Sequence, residues 1–168
     1  VRSVQREITP SEPYWLEEPV PGDALDTLQA LSLPQPEQAK GCPIVTGERH
    51  FTLAHFRAVI ERQAAGILNP DVCTVGPSDI LRIAALAQPH GIQVSPHCWN
   101  STVVAAAAMF HLCAAMPNAQ MAECFPAYEE FCNSFCHSSH SFADGKITLS
   151  KDPGLGIAVD ESVLNMLV

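Results

Sequence analysis

The stretch LNPDVCTVGPSDILRIAALAQPHGIQVSPH, Leu68 to His97, decides the fold. It opens on a short, mostly apolar run, Leu68–Cys73, which carries Asp71 and leads into the turn Gly76-Pro77. Pro77, Ser78 and Asp79 suit the start of a helix, since proline tolerates the first helical position and small polar side chains satisfy free backbone N–H groups. Ile80, Ile83, Ala84 and Ala87 then recur at intervals of three and four, which places an apolar stripe on one side. Pro89 and Gly91 end the helix, and a second short run, Gln93–His97, closes on an imidazole. Neither run alternates cleanly between polar and apolar residues, as expected of strands buried on both faces. Strand, helix and strand in this order predict parallel strands joined by a right-handed crossover.

The same pattern extends in both directions. Further strands are predicted at Tyr14–Glu18, Pro43–Glu48 and Ala119–Glu123, and helices over Ala24–Leu31 and from Leu53 to Ala64, the latter behind the cap Thr52. Each of the five strands ends on a polar side chain, Glu17, Glu48, Asp71, His97 and Glu123, at intervals of 31, 23, 26 and 26 residues. This is the rhythm of a (β/α)8-type barrel, whose strands bring their C-terminal ends to one face. A full barrel takes about 250 residues, and a chain of 168 residues holds about five strand–helix units. The expected architecture is therefore α/β, the C-terminal part of a barrel and incomplete by itself. Residues 1–141 form the barrel part and 142–168 a C-terminal tail. Val1 stands where an initiator methionine would, and the polar stretch Arg2 to Glu12 suits the end of a preceding helix. The expectation is a truncated chain; the rival is a naturally short protein with an open sheet.

Composition excludes several classes. A formal charge of −9 without a Lys/Arg cluster lacks the electrostatic footprint that nucleic acid demands. The most apolar run, Thr102 to Met116, contains His111 and is shorter than the roughly 20 residues a membrane span requires, so it reads as a buried alanine-rich helix. Seven cysteines in no regular framework suit free thiols in a reducing compartment, the cytoplasm.

The ordered set Trp15-Leu16-Glu17-Glu18-Pro19, Thr46-Gly47-Glu48, Pro70-Asp71-Val72, Ser95-Pro96-His97 and Pro117-Asn118 before Glu123 resembles the enolase superfamily, in its mandelate racemase and acid-sugar dehydratase branch. Each motif alone is weak; the order makes the set specific, and it covers nearly the whole chain. Asp144-Gly145-Lys146-Ile147 and Pro153-Gly154-Leu155-Gly156 also resemble the segment that returns from the family's barrel to its N-terminal capping domain. Gly76-Pro77-Ser78 departs from the glycine pair usual after the aspartate, which bears on loop shape and substrate choice.

The resemblance implies removal of the proton next to a carboxylate, giving an enediolate that is reprotonated or loses a leaving group. Such a proton is too weakly acidic for an imidazole of ordinary pKa about 6.5 acting alone. The family supplies electrostatic help from Mg2+, a hard ion that takes carboxylates and waters. Glu17 and Glu48 are the implied metal ligands, the first glutamate of the Glu-Glu-Pro motif being preferred to Glu18. His97 is the implied general base, Asp71 the group that orients its ring, and Glu123 the acid that hydrogen-bonds the substrate carboxylate. The family uses three acidic ligands, and the first would lie upstream of Val1. This chain alone is thus expected to be inactive and to bind magnesium weakly or not at all. The expected partner is a small carboxylate or sugar acid, with a second copy or the missing N-terminal part covering the open barrel. Dehydration and racemisation stay open, with dehydration favoured by Ser95-Pro96-His97 and Pro117-Asn118. The alternative is a non-catalytic remnant or a module that needs a partner chain.

Any one strand-end carboxylate is ordinarily a solvated cap, and only the set carries the chemistry. His50, His55, His90 and His111 lie outside it and read as surface or satisfied core histidines. Cys132, Cys136, His137 and His140 could grip zinc if they shared one helix, but the cluster lacks the usual spacing between ligand pairs and reads as a loop or helix with free thiols.

Overall fold

The computed structural model describes residues 2–33, 42–99, 101–125, 136–138 and 140–164. Four parallel strands, β1 (Leu16–Glu17), β2 (Ile44–Thr46), β3 (Ile67–Leu68) and β4 (Gln93–Val94), form one sheet in the order β1-β2-β3-β4. Helices α2 (Leu25–Ser32), α3 (Leu53–Glu61) and α5 (Pro77–Ala87) fall between them, after an N-terminal α1 (Arg2–Ile8). The sequential order of parallel neighbours is the layout of consecutive barrel units, as the alternation predicts.

All five strands are shorter than expected, β1, β2 and β4 keeping only two or three residues of the longer predicted runs. The run Leu68–Cys73 leaves the sheet after Leu68, and its second half forms a one-turn helix, α4 (Val72–Val75). The cause is Asp71, whose Oδ1 accepts hydrogen bonds from the Cys73 and Thr74 N–H groups at 2.9 Å and so caps that turn. Ala119–Glu123 joins the sheet only through an isolated parallel bridge between Val94 and Ala119.

The core lies between the strands and their helices. Phe56, Val59 and Ile60 of α3 pack with Ile80, Ile83, Ala84 and Ala87 of α5, Leu28 of α2, and Ile44, Leu68 and Val94 of the sheet. These are the apolar stripes visible in the sequence. The Ala-rich run becomes α6 (Val103–Ala115), with Ala107, Met109 and Phe110 buried. Among the described residues no helix is long and apolar enough to cross a membrane.

Beyond the barrel units, β5 (Cys136–Ser138) pairs antiparallel with β8 (Ile157–Val159), and β6 (Ser141–Ala143) with β7 (Lys146–Thr148). Ile147 and Leu149 of this tail pack against the main core. Cys136 and His137 therefore sit on a strand rather than a helix, and Cys132 lies outside the described residues. The His140 ring accepts from the Ser150 N–H at 3.0 Å and contacts the Leu155 carbonyl at 2.8 Å, so both its nitrogens serve the tail.

The Thr52 hydroxyl caps α3 by accepting from the His55 N–H at 3.4 Å. Because that bond is long and exposed, Thr52→Ala should lower stability by only about 0.5–1 kcal/mol, near the low end of cap deletions. Urea denaturation would check this, and a loss above about 2 kcal/mol would show that the hydroxyl does more than cap.

Candidate active site at the strand ends

Strand register brings the polar strand ends together. Leu68 pairs with Val94, and beyond the strands Asp71 pairs with His97 at the same offset of 26 residues. The His97 N–H donates to the Pro70 carbonyl at 3.0 Å and the Val72 N–H to the His97 carbonyl at 3.1 Å, which continues the ladder past β3 and β4. Aspartate and histidine therefore stand level on adjacent chains. His97 Nδ1 lies 2.8 Å from Asp71 Oδ2, and Nε2 lies 3.2 Å from Glu48 Oε2. With Nδ1–H donating to Asp71, Nε2 is the nitrogen left to exchange a proton. Its neighbour is a carboxylate rather than solvent, and the ring is mostly buried.

Glu17 and Glu18 are adjacent but have different partners. Glu18 takes a left-handed φ of 41°, unusual for a residue with a side chain. Its Oε1 accepts from the Thr46 hydroxyl and the Gly47 N–H, both at 2.8 Å, which ties the end of β1 to the end of β2. The Glu17 carboxylate instead accepts from the Asn69 side-chain amide at 2.8 Å. Gly47 is needed where the chain turns toward Glu48: it has φ of 142°, and an added Cβ would lie 2.8 Å from Phe56 Cε1.

Glu123 joins the group beside His97, its Oε2 accepting from the Cys98 N–H. A cavity of about 220 Å3 is lined by Trp15, Glu17, Asn69, His97, Met121 and Glu123 among others. A larger cavity, about 740 Å3, lies between the loops after β1 and β2 and is lined by Glu18, Arg49 and His50, with none of the five strand-end groups in its wall. Size and chemistry thus point to different cavities, and the arrangement of reactive groups favours the smaller.

Charge in the small cavity is one-sided. Burial raises the Glu17 pKa above the usual carboxylate value, and the nearby Glu48 and Glu123 carboxylates raise it further, with His97 opposing. Crowded carboxylates of this kind suit a hard divalent cation, which would relieve their repulsion and accept their oxygens. Two carboxylates are available for such an ion; among the described residues no group of three or more His, Cys, Asp or Glu side chains is arranged to hold a metal. Cys98 beside the site is no nucleophile: burial pushes its thiol pKa up to about 12, so it stays protonated at neutral pH.

Sequence reasoning passed over Asn69, which lies inside the run Leu68–Cys73 and is almost fully buried. The signal was an amide in a mostly apolar run, two residues before Asp71. Of the remaining histidines, His50 and His111 are not satisfied as expected of core histidines: Nε2 of each is buried without a hydrogen-bond partner among the described residues. Burial holds the His50 pKa below its ordinary value, so this ring is neutral at physiological pH.

Parallel β/α units that deliver carboxylates and an Asp–His pair to the C-terminal rim of one sheet define a barrel domain of the α/β class. The sequence matches the family described as Enolase C-terminal domain-like over residues 2–163. The chain belongs to that family, in the mandelate racemase and acid-sugar dehydratase branch of the enolase superfamily. It is 29% identical to the D-galactonate dehydratase of Xanthomonas oryzae pv. oryzae, over 97% of this chain and 43% of that protein. It is also 29% identical to the D-galactarolactone cycloisomerase of Agrobacterium fabrum, over 89% of this chain and 40% of that one. Among solved structures, an enolase from environmental sequencing of the Sargasso Sea superimposes with a TM-score of 0.90 at 40% identity, covering 99% of this chain and 43% of its own. The mandelate racemase/muconate lactonizing enzyme from a Sulfitobacter species gives a TM-score of 0.84 at 35% identity, covering 96% and 39%. The chain thus spans about two fifths of the length of the curated relatives it matches.

Proposed function

We propose that this chain forms the base-bearing end of a magnesium-dependent hydro-lyase or isomerase that removes the α-proton of a small polyhydroxy acid. The observation that carries the reading is the Asp71–His97 pair, 2.8 Å apart, with the other ring nitrogen turned toward Glu48. His97 Nε2 accepts the α-proton, and Asp71 fixes the ring and stabilises the imidazolium that results. Loss of that proton leaves an enediolate. Glu123, which lines the same small cavity, hydrogen-bonds the substrate carboxylate. Bound through Glu17 and Glu48, Mg2+ would supply the positive charge that makes the α-proton acidic enough for an imidazole.

Acid-sugar relatives favour a polyhydroxy acid as substrate, and the dehydratases among them favour loss of water over racemisation. The tail from residue 142 onward acts as the closing segment of the barrel, a reading supported by Ile147 and Leu149 packed on the core. Free thiols at Cys42, Cys73, Cys98 and Cys113 suit work in a reducing compartment, the cytoplasm.

Calorimetric titration tests the metal reading. With two carboxylates, this chain should bind Mg2+ only weakly, at about millimolar concentration, since Mg2+ held by one or two carboxylates keeps most of its waters. The double substitution Glu17→Gln with Glu48→Gln should abolish that binding while the fold, followed by circular dichroism, persists. Binding undiminished by the substitutions would overturn the assignment.

A further inference from the structure

The amide of Asn69 is oriented against its own interest. Nδ2 donates to Glu17 Oε1 at 2.8 Å, while Oδ1 is buried without a hydrogen-bond partner among the described residues. A carboxylate can only accept, so the contact with Glu17 sets which way the amide faces, and the carbonyl oxygen is left unsatisfied as a result. Asn69 is only 3% exposed and, one residue past the end of β3, its backbone N–H still bonds to the Thr46 carbonyl of β2 at 3.1 Å, which fixes its place beside Glu17. Buried polar groups are rarely left in this state without a function.

We propose that Asn69 is a positioning residue that makes the Glu17 carboxylate select Mg2+ over Ca2+. This rests on Glu17 being a metal ligand. An N–H donor on one carboxylate oxygen competes with an ion for that oxygen's lone pairs and disfavours binding through both oxygens. Ca2+ readily takes carboxylates through both oxygens and tolerates irregular, higher coordination; Mg2+ is smaller and requires near-octahedral geometry. Tying down one oxygen therefore penalises the larger ion and orders the ligand for the smaller one. Partners that hydrogen-bond a metal ligand commonly tune its affinity in this way.

The test is competition of Mg2+ and of Ca2+ against Mn2+, with free Mn2+ followed by electron paramagnetic resonance, on the full chain and on Asn69→Leu, which removes the donor at similar size. Asn69→Ala serves as a second variant should leucine prevent folding. The expected result is a fall in Mg2+ affinity of about tenfold, within the range for loss of a ligand's hydrogen-bond partner, with Ca2+ affinity unchanged or raised. Equal weakening of both ions would mark Asn69 as merely structural and overturn the proposal, as would no change in either. Failure of the unsubstituted chain to bind any of the three ions would overturn this inference while leaving the assignment of His97 as the base untouched.

Discussion

In a protein that carries the complete metal site, replacing His97 with asparagine is expected under the proposed mechanism to slow exchange of the substrate α-proton with solvent deuterium by about 100- to 10,000-fold, the usual contribution of a positioned general base. Asparagine keeps roughly the size of the ring and can still hydrogen-bond Asp71, so the loss would reflect the proton acceptor rather than the packing. The exchange signal in proton NMR isolates the first chemical step from later loss of water or reprotonation on the other face. Hence the expectation is the same for either of the two proposed reactions. Exchange retained at the unsubstituted rate would take His97 out of the mechanism and leave Glu48, its neighbour at 3.2 Å, as the next candidate.

The second large effect concerns stability. Phe56 is fully buried in the main cluster, its ring in edge contact with His50 at 5.4 Å between centroids. Truncation to alanine should lower unfolding free energy by about 3–5 kcal/mol, the range for aromatic residues removed from a packed core. For a domain of ordinary marginal stability this is a large fraction of the total. Because Phe56 Cε1 lies directly against Gly47, the cavity would also loosen the turn that presents Glu48. Guanidinium denaturation measures the first effect, and a loss below about 1 kcal/mol would show that the site collapses around the gap or that Phe56 is not the keystone its burial indicates.

The elements were legible in the sequence where periodicity and punctuation agreed. Ile80, Ile83, Ala84 and Ala87 fixed a helix because proline opened it and Pro89 and Gly91 closed it, and the helix found is Pro77–Ala87. Strand lengths were less legible, since Asp71 interrupts an apolar run with a side chain that caps the following turn, and hydrophobicity alone does not register that competition. The convergence of Glu17, Glu48, Asp71, His97 and Glu123 could be anticipated because parallel crossovers return every strand in the same direction. The division of labour between Glu17 and Glu18 could not be read from spacing. It depends on a left-handed backbone at Glu18 and on hydrogen bonds to Thr46 and Gly47, a strand away. Asn69 was hidden for a related reason: its importance lies in which partner its amide faces, a fact of three dimensions.

The level pairing of Asp71 with His97 belongs to a ladder of backbone contacts, not to the long excursion of chain between them. Turns and helices of that excursion can be lengthened, trimmed or rebuilt over evolutionary time while the acid and the ring keep their seats. A slip of a single residue in the ladder would seat a different residue opposite Asp71. The architecture thereby separates what can drift from what must stay, leaving the outer loops free to change while the Asp71–His97 pair stays in place.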